Sequence, residues 1–265
     1  ERLGEWSRTA ARAAQRHADD PEELNVVDPH ALSPRIPVAE RALADRGWVY
    51  GHVVIDEAQD LSQMAWRALS RRCTRRSVTV VGDLQQASHP AAPRTWAEAL
   101  AWAGDRMDMH ELRVTYRITR QTADTATALL TGAGGLAPVL EPIRDGPPTE
   151  ELVVTRSDLA DAIIEHAHAA DPDRMDGRVG VIVPDALAED LATELVLSTN
   201  TFGAGDDALD AAIAVISARQ SKGLEFDHVF VIEPAMVQAQ APRGADAYVA
   251  CTRATQRLHL VTLTG

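Results

Sequence analysis

Short apolar runs that close on acidic or glycine-containing turns recur along this chain, with residues at helical spacing between them. His52 to Ile55 is such a run and ends in Asp56 and Glu57; Val78 to Val81 is another and ends in Gly82 and Asp83. Runs of this length, bounded by turns, suit buried parallel strands. Between them Leu61, Met64, Ala65, Ala68 and Leu69 fall on one helical stripe, with Ser62 as the cap, so a strand, helix, strand unit is expected. A helix near Trp96 to Ala103 follows a loop holding Pro90 and Pro93. Upstream, the stretch through about Asp19 has helical character and leads into a loop with Pro21, Pro29, Pro34 and Pro37.

The alternation resumes in a second block. Strands are expected at Leu152 to Thr155, Val179 to Val183, Ala214 to Ser217, Val229 to Ile232 and Leu258 to Leu263. The helices between them run from Asp158 to Ala169 and from Ala186 to Leu197, capped by Ser157 and Asp185. Strands alternating with helices imply an α/β protein with a second parallel sheet. The weakest ordering is expected at Gly132 to Pro148 and Thr199 to Asp207, where glycine, proline and polar residues gather.

Composition narrows the function. The 265 residues, 45% hydrophobic and 25% charged, can bury one large core or two ordinary ones. No apolar run approaches the roughly 20 residues of a membrane helix, and the opening residues lack the apolar centre of a signal peptide. Cys73 and Cys251 form no metal-type pair and read as buried thiols of a reducing cytoplasm. A net charge of −13 argues against gripping nucleic acid over most of the surface, so any such groove must be local. Lys222 is the only lysine among many arginines, which with abundant alanine points to a bacterial genome rich in G and C.

Candidate chemistry concentrates first in His52-Val-Val-Ile-Asp-Glu-Ala-Gln-Asp60. Its strand delivers two adjacent carboxylates at the carboxyl end, the edge where open α/β sheets bind ligands. In a nucleotide-hydrolysing site Asp56 would hold magnesium through water, and Glu57 would orient and deprotonate the attacking water. Standing alone, the Asp-Glu pair reads equally well as an acidic turn.

The full string resembles motif II of the UvrD/Rep group of superfamily 1 helicases, and four more strings follow in that group's order. Val80-Val-Gly-Asp-Leu-Gln-Gln86 resembles motif III and Leu112-Arg-Val-Thr-Tyr-Arg117 motif IV. Ser217-Ala-Arg-Gln-Ser-Lys-Gly-Leu-Glu-Phe226 resembles motif V and Tyr248-Val-Ala-Cys-Thr-Arg-Ala-Thr-Gln-Arg257 motif VI. The resemblance implies an ATPase that uses ATP and Mg2+. Gln86 then senses the γ-phosphate, Arg117 reaches it from the second domain, Glu225 contacts the nucleotide sugar, and Arg253 is the arginine finger. Ser217, Arg219, Gln220 and Lys222 would contact single-stranded DNA; Arg219 stands where the group often has histidine. Tyr248 and Val249 read as core packing. The implied fold is that of a P-loop NTPase with RecA-like parallel sheets: residues 1–103 are the C-terminal part of motor domain 1A, and residues 104–265 a complete motor domain 2A.

The chain also departs from that group. No G-x-x-x-x-G-K-[ST] phosphate loop occurs in it, so we expect the missing N-terminal part of the same protein to supply the loop and the isolated chain to be inactive. Ala87 to Trp96 replaces the base-stacking continuation of motif III, with Trp96 expected to pack a helix, and Ile118 to Ile213 is short for the accessory domain of the unwinding members. Together with Asp60 to Arg72, these departures resemble the HelD group of helicase-like factors. That resemblance implies RNA polymerase as partner and its ATP-driven release from nucleic acid as the task. A UvrD/Rep-type DNA translocase or repair helicase, and a binding module without catalysis, stand as the alternatives.

Overall fold

The computed structural model describes residues 47–104, 106–170 and 178–264, and Val49–Gly265 form one compact unit. The helix expected through Asp19 and the proline loop after it lie outside the described residues. Strands β1 (Val53–Ile55) and β2 (Val78–Val80) pair in parallel, with Val53 opposite Val78. Helix α1 (Gln63–Arg72) connects them, and the Ser62 hydroxyl accepts the Ala65 amide at its start, as the sequence indicated. The expected stripe is met in part: Leu61 and Leu69 pack half-buried on a small core, but the fully buried residue of the helix is Trp66, and Met64 is 70% exposed. Helix α2 (Trp96–Leu100), capped by Thr95, ends before the expected Ala103, and its Trp96 packs on the same small core.

Strands β3 (Val114–Thr115) and β4 (Glu141–Pro142) form another parallel pair around helix α3 (Arg120–Gly132). The hydrophobic pattern did not reveal α3, because its inward residues are Thr122, Ala123, Ala126 and Leu130, of which only the last is a large apolar residue. The rest of the chain alternates in the order β5 (Glu150–Thr155), α4 (Leu159–Ala170), β6 (Val179–Val183), α5 (Ala188–Ser198), β7 (Phe202–Ala204) and β8 (Ile213–Ser217). It closes with β9 (Phe226–Ile232), α6 (Pro234–Ala239), α7 (Ala245–Cys251) and β10 (Ala254–Thr264). Two expected caps are replaced. Thr155, not Ser157, accepts an amide ahead of α4, and Asp185 lies inside a 3-10 turn before α5 without capping it. Part of the weakly ordered stretch at Thr199 to Asp207 is strand, because Phe202 anchors β7 in the core.

Among the described residues the main sheet has six parallel strands in the order β5-β10-β9-β6-β8-β7. Period-two alternation along β9 divides its side chains between two cores. Val229 and Val231 face Leu130, Val237 and Tyr248 on α3, α6 and α7, while Phe230 and Ile232 face Leu159, Ile163 and Leu191 on α4 and α5. Covering helices on both faces explain why β6 and β8 are buried at every position. The chain must pass from β8 across β6 to reach β9, and the loop making this crossing leaves from the carboxyl end of β8. No helix among the described residues is long and apolar enough to cross a membrane. Both cysteines are buried, and burial pushes the Cys251 thiol up to about 12.

A histidine cluster sits beneath α4. The His259 ring stacks on Phe230 at 4.3 Å, meets His166 edge-on at 5.9 Å and lies 6.4 Å from His228. Glu150 Oε2 is 3.1 Å from its Nδ1 but off hydrogen-bond direction, so neither ring nitrogen has a hydrogen-bond partner. Burial lowers the His259 pKa to about 4; His228, His166 and Arg257 lower it too, and Glu150 opposes them. The unfolded ring, titrating near 6.5, binds more protons than the folded one between about 4 and 6.5. This stabilising contribution is therefore complete above about pH 6.5 and is lost as the pH falls towards 4, by up to about 3 kcal/mol. Thermal unfolding at pH 7.5 and pH 4.5 should show a smaller pH-dependent drop for His259→Phe than for the natural chain. An equal drop would remove the histidine from this account.

Candidate functional site

The site begins where β1 and β2 end. Val81 N donates to Ile55 O at 2.8 Å and Ala58 N to Val81 O at 3.1 Å, which continues the pairing past both strands. Glu57 turns the chain there with φ 48° and ψ 40°, a left-handed conformation that costs a non-glycine residue about 1–2 kcal/mol. The turn leaves the Asp56 and Glu57 carboxylates exposed beside each other, with Glu57 N donating to Asp56 Oδ1 at 2.9 Å. Gln59, only 1% exposed, fixes the geometry from below. Its Nε2 donates to Glu57 Oε2 at 2.5 Å, and its Oε1 accepts the Asp83 amide at 3.1 Å. One buried amide thus ties the ends of both strands together.

The second strand end is equally constrained. Asp83 accepts from Gln85 N at 2.9 Å and from Gln86 Nε2 at 3.1 Å, which aims the Gln86 side chain. Gly82 lies so close to its neighbours that a Cβ there would stand 2.5 Å from Gln59 Oε1 and 3.1 Å from Ala58 N.

From the main sheet, the loop after β8 closes on itself: Ser217 N donates to Gln220 Oε1 at 2.9 Å and Gln220 N to Ser217 Oγ at 3.3 Å. Gly223, with φ +76°, then turns the loop back towards β9. Lys222 reaches the β1–β2 unit, with Nζ 2.6 Å from Asp60 Oδ1 and 3.1 Å from Gln86 O. Arg117 and Glu225 pair at 2.8 Å with both side chains about half exposed. Arg253, between α7 and β10, is only 5% exposed. Its Nε donates to Val249 O at 3.2 Å, and its Nη2 reaches Thr252 Oγ1 at 3.3 Å and Gln86 Oε1 at 3.5 Å.

The charges around Arg253 are coupled. Burial and then the nearby Arg117 lower its pKa, while Glu57, Glu225 and Tyr248 act in the opposite direction. The Tyr248 hydroxyl is raised by burial first and by Asp83 next. Glu57, Gln86, Arg117, Lys222, Glu225 and Arg253 therefore share one neighbourhood, with Asp56 beside Glu57. Of the residues expected to meet nucleic acid, Arg219 and Gln220 are exposed, Ser217 is buried in the loop bracket, and Lys222 points at Asp60. Tyr248 and Val249 are buried in the core. Sequence reasoning overlooked Gln59 as the strand-end tie, although it stands inside motif II. It had no signal for Ser88 and Asp246, which meet from 158 positions apart. Among the described residues no group of three or more histidines, cysteines and carboxylates could hold a metal ion.

An α/β parallel sheet with arginines and carboxylates gathered at strand ends defines the class of site. Residues 212–261 match the family model of the UvrD-like helicase C-terminal domain. That segment runs from β8 into β10 and contains Ser217, Arg219, Gln220, Lys222, Glu225 and Arg253. None of the curated proteins matches the chain. Among solved structures, the C-terminal domain of a possible DNA helicase from Lactobacillus plantarum WCFS1 is 24% identical, with 56% of this chain and 88% of that chain covered and a TM-score of 0.44.

Gly82→Ala should lower unfolding stability by about 1–3 kcal/mol, because the added methyl must displace Gln59 or backbone. Chemical denaturation measures this, and an unchanged midpoint would show that the strand ends are not packed as tightly as described.

Proposed function

We propose that this neighbourhood is the hydrolytic and finger side of a superfamily 1 ATPase motor, with residues 1–103 belonging to motor domain 1A and residues 104–265 forming domain 2A. The observation that carries the reading is Arg253. A buried guanidinium reaches across to Gln86 of the β1–β2 unit, with Glu57, Arg117 and Glu225 close enough to shift its pKa. Arg253 and Arg117 offer planar, permanently charged donors to phosphate oxygens, and Gln86 offers an amide beside them. Glu57 is held by Gln59 where it can orient water and take its proton. ATP with Mg2+, whose ion Asp56 would hold largely through water, supplies the phosphoryl group. Glu225 would meet the sugar, and the exposed Arg219 and Gln220 would meet single-stranded nucleic acid. The reading requires a phosphate-binding loop from outside these 265 residues, since none of them forms the G-x-x-x-x-G-K-[ST] pattern.

For the partner we favour RNA polymerase, released from nucleic acid by ATP hydrolysis in the manner of the HelD group. Two features support this choice: the net charge of −13, and the short interval between Arg117 and Ser217, which holds α3, α4, α5 and strands of the main sheet. A UvrD/Rep-type DNA translocase is the competing assignment.

In the intact protein Glu57→Gln should lower ATP turnover by about 100- to 10,000-fold while nucleotide still binds. Arg253→Ala should cost about 1,000-fold or more. Undiminished turnover in Glu57→Gln would remove the assigned base. Affinity purification with polymerase, set beside ATPase stimulation by single-stranded DNA, separates the partners: strong stimulation and duplex unwinding without polymerase would favour the translocase.

A further inference from the structure

Asp246 lies in the first turn of α7 with no exposed surface, between the apolar residues Ala245 and Ala247. A carboxylate in such a place is costly unless its lone pairs are met. Its Oδ1 accepts a hydrogen bond from the buried Ser88 hydroxyl, and its Oδ2 accepts from Gln240 Nε2 at 3.1 Å. Arg219 Nε stands 3.9 Å from Oδ2, beyond hydrogen-bond reach, with its side chain 56% exposed. Neither the core of the main sheet nor the phosphate-facing groups use this carboxylate.

What the carboxylate does is join two pieces of chain that also meet at the site. Ser88 follows Gln86 by two residues, and Asp246 starts the helix that leads to Arg253. The Gln86 to Arg253 contact itself is long, at 3.5 Å, whereas the contact of Ser88 with Asp246 is fully buried. We propose that Asp246 is a positioning residue: by holding Ser88 it sets the loop Leu84 to Ser88 against α7 and so fixes how far Gln86 stands from Arg253. The functional half of this inference rests on the ATPase reading; the structural half does not.

The structural half is tested in the 265-residue chain by hydrogen exchange. Ser88→Ala and Asp246→Ala should speed exchange of the Gln86 and Ala87 amides by about fivefold or more, with amides of β6 and β9 unchanged. Unchanged exchange at Gln86 and Ala87 overturns the proposal, and acceleration spread through β6 and β9 overturns it in favour of general destabilisation. The functional half is tested by ATP turnover of the intact protein. Ser88→Ala should lower kcat about tenfold with KM for ATP within about twofold, and Ser88→Thr, which keeps the hydroxyl, should restore it. The Ser88→Ala/Asp246→Ala double variant should be no slower than the slower single variant, because both remove the Ser88 to Asp246 contact. Multiplying losses, or a kcat for Ser88→Ala equal to that of the natural protein, overturn the functional half. If the intact natural protein turns over no ATP, the ATPase reading fails by itself, and accelerated loop exchange still supports the contact.

Discussion

Arg253 carries a permanent charge into a place where only 5% of it meets solvent, and much of the surrounding arrangement answers that constraint. Carbonyls of Val249 and Leu224 and the Thr252 hydroxyl take its donors on the α7 side. The remaining direction points at Gln86, in the 3-10 turn that follows β2. A guanidinium cannot shed its proton to relieve burial, so satisfaction has to come from partners. Two of them, Gln86 by contact and Glu57 by charge, sit at the ends of β2 and β1.

Those strand ends are held by local devices rather than by a large core. The β1–β2 unit has two three-residue strands and a modest cluster around Trp66, yet Gln59 and Gly82 define its carboxyl edge closely. Glu57 accepts a left-handed backbone there. Glu233, at the end of β9, shows the same turn with φ 49°, and its carboxylate accepts the Leu263 amide. The second glutamate spends its side chain on the sheet, whereas the first keeps its carboxylate exposed. That contrast separates a turn whose carboxylate ties the sheet from one whose carboxylate stays open to solvent.

Much of the fold was legible in the sequence because the main-sheet strands are continuous apolar runs: Val179–Val183 matches the expected span, and Ile213–Ser217 and Phe226–Ile232 extend theirs by one and three residues. Helix α3 escaped because threonine and alanine form most of its inward face. The stripe of α1 was placed only in part: Leu61 and Leu69 pack on the core, but Met64 looked apolar enough to bury while Trp66 was the residue that did. Within the site, Glu57, Arg117, Glu225 and Arg253 were legible from local strings. The links between strings, Lys222 to Asp60 and Ser88 to Asp246, were not, since no local pattern encodes a meeting across more than 150 residues.

One of those links has a practical side. Lys222 is the single lysine of these 265 residues, and its ammonium bridges Asp60 on one sheet unit from a loop of the other. An amine held in that bridge is hydrogen-bonded to Asp60 and to Gln86 O, with 18% of its side chain exposed, so a reagent meets little of it; parted from Asp60, it stands open to solvent. The molecule thus carries, without engineering, one chemical reporter whose acylation rate follows how often the two units separate.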